Sequence, residues 1–167
     1  MYMKRIPLLA AMLLAMALPL AAQNAKMPQN VPLKHVDGDA VQSSVIQNGG
    51  RPVIVSFWAT WCKPCNRELD AIKEVYDDWQ EETGVKLVAI SIDDTRSAAR
   101  VRPWVNGKDW PYEVYLDQNK DLARAMGVVD VPHTFLLNGD GEIVWQHTTY
   151  QDGSEEELIE RVRQLLK

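Results

Sequence analysis

Pro52-Val53-Ile54-Val55-Ser56-Phe57-Trp58-Ala59-Thr60-Trp61-Cys62-Lys63-Pro64-Cys65-Asn66-Arg67-Glu68-Leu69 decides the reading of this 167-residue chain. The run from Pro52 to Phe57 is short, β-branched and apolar, the pattern of a buried strand. Behind the cysteines, Leu69, Ile72, Val75, Tyr76 and Trp79 recur at helical spacing and predict an amphipathic helix to about Glu82. The two cysteines, the only ones in the chain, thus lie where a strand passes into a helix. A helix start offers unpaired backbone N–H groups and a partial positive charge, which favour a thiolate over a thiol. Pro64 suits the first turn, where no N–H is needed, and Lys63 adds a cation. Three residues apart, Cys62 and Cys65 share one helix face and can bridge. Cys62 is expected to be the exposed nucleophile and Cys65 the sheltered thiol that resolves a mixed disulfide.

Two plainer readings compete. A structural disulfide here would close a ring too small to remove much entropy from the unfolded chain. Half of a zinc site would need further ligands, and His35, His133 and His147 are scattered without metal-binding spacing. Redox chemistry fits the pair better than either, and no metal ligand set is expected.

Trp-Cys-x-x-Cys after an apolar strand resembles the thioredoxin superfamily. Trp58-Ala59-Thr60-Trp61-Cys62-Lys63-Pro64-Cys65-Asn66-Arg67-Glu68 is most similar to its exported TlpA/ResA-like branch of thiol–disulfide oxidoreductases, over about residues 33–167. The resemblance implies a protein-disulfide reductase with no cofactor beyond its two sulfurs, protein thiols and disulfides as partners, and a membrane-bound electron donor. It also implies a role for Glu68, one turn beyond Cys65, as the group that takes the Cys65 proton. A partly buried carboxylate there would suit proton exchange, although a solvated helix glutamate fits the spacing equally well. Cytosolic thioredoxins hold a buried aspartate in the central strand, where this chain has Ser56. The resemblance further makes Pro132 a cis proline facing the cysteines and makes the Val131 backbone a substrate-pairing segment. His133, often threonine in relatives, is expected at the surface. Trp58 is expected in the core and Trp61 on an apolar docking surface, with Lys63 and Asn66 exposed.

Upstream, Lys4-Arg5 followed by the apolar run Ile6–Leu20 and Ala21-Ala22 reads as an export signal with an imperfect cleavage box. The expected division is a signal peptide at 1–22, a flexible leader at 23–32 and one domain at 33–167. A retained anchor is the alternative, and the location expected is the periplasm. Loss of Lys4 and Arg5 would take the formal charge from −5 to −7, which argues against nucleic acid or an anionic membrane as partner. A monomer is expected.

Downstream, Val85–Ile92 reads as a strand parallel to the first, after a left-handed cap at Gly84. A helix is expected from Asp93-Asp94 to about Val105, kinked or stopped at Pro103 and closed by Asn106-Gly107. A strand to Leu116, a short helix over Asp121–Met126 and a hairpin around Asn138-Gly139-Asp140-Gly141 follow. Ser154-Glu155-Glu156-Glu157 reads as a capping box for a last helix whose core face holds Leu158, Ile159, Val162, Leu165 and Leu166. The sum is an α/β, thioredoxin-like fold with a mixed central β-sheet flanked by helices. Rival functions are a disulfide oxidase or isomerase on the same fold, a metal-transfer module, and a peroxidase. A peroxiredoxin would want proline and threonine or serine where Val55 and Ala59 stand.

Overall fold

The computed structural model describes residues 24–167; the expected signal segment lies outside them. One seven-stranded sheet, in the order β2-β1-β5-β4-β3-β6-β7, forms the centre. Strand β3 (Val53–Trp58) is buried at every position, because its apolar side chains are covered on both faces. It pairs in parallel with β4 (Lys86–Ser91), which pairs in parallel with β5 (Glu113–Leu116). On its other side β3 pairs antiparallel with β6 (His133–Leu137), and β6 with β7 (Ile143–Thr148). The far edge is the hairpin of β1 (Pro32–His35) and β2 (Ala40–Gln42), turned at Asp37-Gly38. The mixed sheet is as the sequence predicts. Among the described residues no helix is long and apolar enough to cross a membrane.

The helix behind the cysteines is two helices, α1 (Lys63–Lys73) and α2 (Tyr76–Thr83). At the break Val75 adopts φ −123° and ψ 0°, and its N–H closes on Ile72 O at 3.1 Å. Apolar spacing runs on through this step, so periodicity alone does not reveal it. Gly84 takes the expected left-handed cap, φ 67°. Residues 93–97 form no helix; a 3₁₀ turn at Ala98–Arg100 leads into α3 (Val101–Lys108). Pro103 therefore falls in the first turn of α3, where its missing N–H costs nothing. Asn106-Gly107 lies inside the helix, and Asp109 at φ 52° ends it instead. After β5 comes α4 (Asp121–Ala125).

The final helix, α5 (Ser154–Gln164), packs against α1 and β6. Ser154 is its first residue and makes no capping box. Its hydroxyl accepts from Gln151 N, and the Glu155 carboxylate reaches back to Gly153 N at 3.1 Å. Leu158, Ile159 and Val162 are buried, while Leu165 and Leu166 are 36% and 50% exposed, because the helix ends before they can turn inward. The stretch expected to be a free leader is tied down. Met27 is 2% exposed, its N–H donates to Gly141 O, and Ile143 N donates to Ala25 O.

Candidate redox site

Cys62 and Cys65 form a disulfide, with Cα atoms 5.4 Å apart. Cys62 is the N-cap of α1 in extended conformation, and its sulfur accepts from Cys65 N at 3.3 Å. Pro64 stands in the first turn and needs no acceptor there. Cys62, expected to be exposed, is 4% exposed and Cys65 0%. The pair is sunk in the surface because the Val131–Pro132 segment lies across it, and Cys62 alone reaches solvent. Val131 O lies 3.6 Å from Cys62 Sγ, and the Val131–Pro132 bond is cis. The chain thus brings Cys62, Cys65, Val131 and Pro132 together from positions about seventy residues apart, as the resemblance implies.

Trp61 projects at 62% exposed on the turn before Cys62. That turn is held from beneath by Asp93, which the sequence reading gives to a helix cap. The Asp93 carboxylate, 0% exposed, accepts from Thr60 N, Thr60 Oγ1 and Ser91 Oγ at 2.7–2.8 Å. A buried ionisable group needs that many partners, and three local donors provide them. On one flank a groove of about 340 Å³ passes Pro64, Val129, Val131 and Pro132. Trp58 is fully buried, edge-on to Trp110 at 4.9 Å. Lys63 is exposed, as expected.

Asn66 and His133, expected exposed and at the surface, are both buried. Asn66 is 8% exposed because α1 turns it under the active turn. Its Nδ2 donates to Cys62 O at 2.7 Å and Ala59 O at 3.3 Å, and its Oδ1 accepts from Trp104 Nε1 at 2.7 Å. His133 is 7% exposed; it is drawn in by stacking on Phe135 at 4.2 Å and by a 2.9 Å bond to Gln146 Oε1.

Glu68 is more than partly buried: 1% of it is exposed. One turn along α1 from Cys65, its Oε1 meets Thr134 Oγ1 and His147 Nε2, each at 2.9 Å. Thr134 Oγ1 also lies 3.1 Å from Ser56 Oγ. A hydroxyl has one proton to give, so Ser56 donates to Thr134 and Thr134 to Glu68. Ser56, Thr134 and His147 occupy paired positions on β3, β6 and β7 and form one polar row under α1. Glu68 Oε2 has no hydrogen-bond partner among the described residues.

This sheet, with a CxxC disulfide at a helix start facing a cis proline, defines a thioredoxin-like protein. The chain belongs to the AhpC/TSA family, whose profile matches residues 22–146. It is 31% identical over 118 residues to the thiol-disulfide oxidoreductase ResA of Bacillus thuringiensis subsp. konkukian, covering 71% of this chain and 63% of that protein. To the sporulation thiol-disulfide oxidoreductase A of Bacillus subtilis it is 29% identical over 150 residues, covering 86% of this chain and 88% of the relative. The solution structure of an uncharacterised thioredoxin-like protein from Porphyromonas gingivalis is 50% identical, with a TM-score of 0.74 over 86% of this chain and 93% of that one.

Proposed function

We propose that the chain is an exported thiol–disulfide oxidoreductase that reduces protein disulfides through Cys62 and Cys65. The observation that carries the reading is the pair itself, seated at the start of α1 with only Cys62 reaching solvent, beside the Val131 backbone. The Cys62 thiolate attacks one sulfur of a substrate disulfide, forms a mixed disulfide and releases the other substrate sulfur as a thiolate. Cys65 gives its proton to Glu68, attacks Cys62 Sγ and expels the second substrate thiolate. Two electrons pass from the dithiol to the substrate, and the Cys62–Cys65 disulfide remains. Trp61 and the groove past Pro132 receive the substrate chain, whose backbone pairs with Val131.

Reduction is favoured over oxidation by the surroundings of Cys62. A strong oxidant needs a strongly stabilised thiolate. Here Cys62 Sγ accepts from one backbone N–H and faces the Val131 carbonyl, and the Lys63 charge is exposed and well screened. In the periplasm such a pair requires a membrane-bound electron donor, with maturation of cytochrome c or rescue of misoxidised proteins as its task. The protein acts as a monomer once residues 1–22 are removed.

The test is the reduction potential, measured by equilibration in defined thiol buffers and trapping of free thiols. A value near about −270 mV supports a reductant, and one near about −120 mV makes the protein an oxidase. Rapid turnover of peroxide would overturn both in favour of a peroxidase, and metal retained at one equivalent by the reduced protein would favour metal transfer.

A further inference from the structure

Glu68 is sealed from water, so unless the proton it takes waits there for Cys65 to be reduced again, it needs a route to solvent. Among the described residues three side chains touch or extend its Oε1: Thr134 and Ser56, both 0% exposed, and His147, whose side chain is 16% exposed. Among the described residues only His147 joins the buried carboxylate to solvent. Its ring is fixed by Trp145, edge-on at 4.9 Å, and by the 2.9 Å contact with Glu68.

We propose that His147 is the proton outlet of Glu68, a positioning residue that links the carboxylate to bulk water during resolution of the mixed disulfide. An imidazole suits this task because it can gain a proton at one ring nitrogen and lose one at the other. Cys65 S–H breaks and its proton goes to Glu68, the new thiolate attacks Cys62 Sγ, and the bond from Cys62 to the substrate sulfur breaks. The departing substrate thiolate takes up a proton from water. The proton on Glu68 crosses to Nε2 of a His147 ring that carries its own proton at Nδ1, the Nδ1 proton passes to water, and the carboxylate is restored.

The other groups around the pair do not offer this path. Tyr112, whose hydroxyl donates to Leu69 O at 2.8 Å, is held far above the ordinary phenol range, first by burial and then by Tyr76 and nearby carboxylates including Glu68. Tyr150 is pushed up to about 12 by burial and by its bond to Glu155. Both stay protonated at ordinary pH and cannot carry away a proton. Arg161 of α5 lies over the Trp145 ring at 5.9 Å, and Arg67 lies over Tyr150 at 5.8 Å. Neither is a proton acceptor. Among the described residues His147 is therefore the one titratable side chain at Oε1 with access to water.

The inference rests on the proposed dithiol chemistry, so the experiment reads the two separately. The reduced protein is mixed with a model peptide disulfide, and mixed-disulfide formation and its resolution are followed by rapid quench from pH 5 to 9. If the unaltered protein forms no mixed disulfide, the dithiol reading fails. If it does, His147→Gln, which keeps a side chain able to hydrogen-bond Oε1 but cannot relay a proton, is expected to form the mixed disulfide normally and to resolve it about tenfold more slowly, within the range of general acid–base effects. Added imidazole is expected to restore most of that rate. In a Glu68→Gln background, itself slowed in resolution, His147→Gln should add nothing. The shorter His147→Asn serves the same comparison should the first variant fail to fold. An unchanged pH profile, a slowed rate that imidazole does not lift, or effects that simply add would each overturn the role of His147.

Discussion

Asn66 shows how much of the site depends on one side chain that never meets substrate. Its amide ties the start of α1 to the active turn through Cys62 O and Ala59 O, and to α3 through Trp104. Asn66→Ala leaves those groups without their partner in a nearly closed space, and an unmatched buried polar group costs about 1–3 kcal/mol. Urea unfolding of the oxidised protein should show a loss of about 2 kcal/mol; an unchanged midpoint would mean that water replaces the amide. Asp117 adds a pH dependence. It is 2% exposed and accepts from Asp121 N and Ala123 N at 2.8 Å, yet burial outweighs these bonds and raises it above the ordinary 3.8. A carboxyl raised in the folded state binds its proton more tightly there than in the unfolded chain, so its contribution is full below the ordinary value and is lost as pH rises through the folded one. The stability difference between the unaltered protein and Asp117→Asn should therefore shrink with rising pH, by at most about 1.4 kcal/mol per unit within that window. A difference that grows with pH would contradict the sign.

At the scale of elements, local chemistry was legible and long-range capture was not. Strand β3, the cysteine turn, Gly84 and the β6–β7 hairpin declare themselves in a few adjacent residues. The step at Val75 does not, because Ile72 and Tyr76 keep their helical spacing across it. Glu68 was visible as a candidate through its place behind Cys65, but its partners Thr134 and His147 lie 66 and 79 residues away. His147 carries no local sign of its role beyond being a histidine on a strand. Asn66 and His133 misled for the same reason: a polar residue reads as exposed until the element that covers it is known. The hairpin holds one demand that composition shows but does not explain. A Cβ on Gly139 would lie 2.0 Å from the backbone oxygen of Gly50, so the β6–β7 turn and the loop before β3 approach too closely for any side chain. Gly139→Ala should cost about 1–3 kcal/mol, the usual toll of overpacking. The thermal midpoint of the oxidised protein checks it; a change of less than a degree would mean that the Gly50 loop moves aside freely.

For the whole molecule, redox poise and folding stability are one quantity seen from two sides. Four states, folded and unfolded with the pair oxidised or reduced, close a thermodynamic cycle. The stability gained on forming the Cys62–Cys65 disulfide must equal the difference in potential between the folded pair and the same pair in the unfolded chain, at about 1.4 kcal/mol per 30 mV. A reductant of the proposed kind holds its disulfide more firmly when folded. An oxidant instead owes its strength to a folded dithiol form that is the more stable one. The polar contacts of Cys62 Sγ, one N–H and one opposing carbonyl, give a free thiolate little to gain. The oxidised protein should thus unfold at higher urea than the reduced protein, measured with the same buffer and the thiols kept reduced throughout. The separation should match, through the conversion above, the measured potential of the folded pair against that of an unfolded peptide spanning Trp61–Asn66. A reduced form that outlasts the oxidised one would reverse the direction of electron flow and leave the dithiol chemistry itself intact.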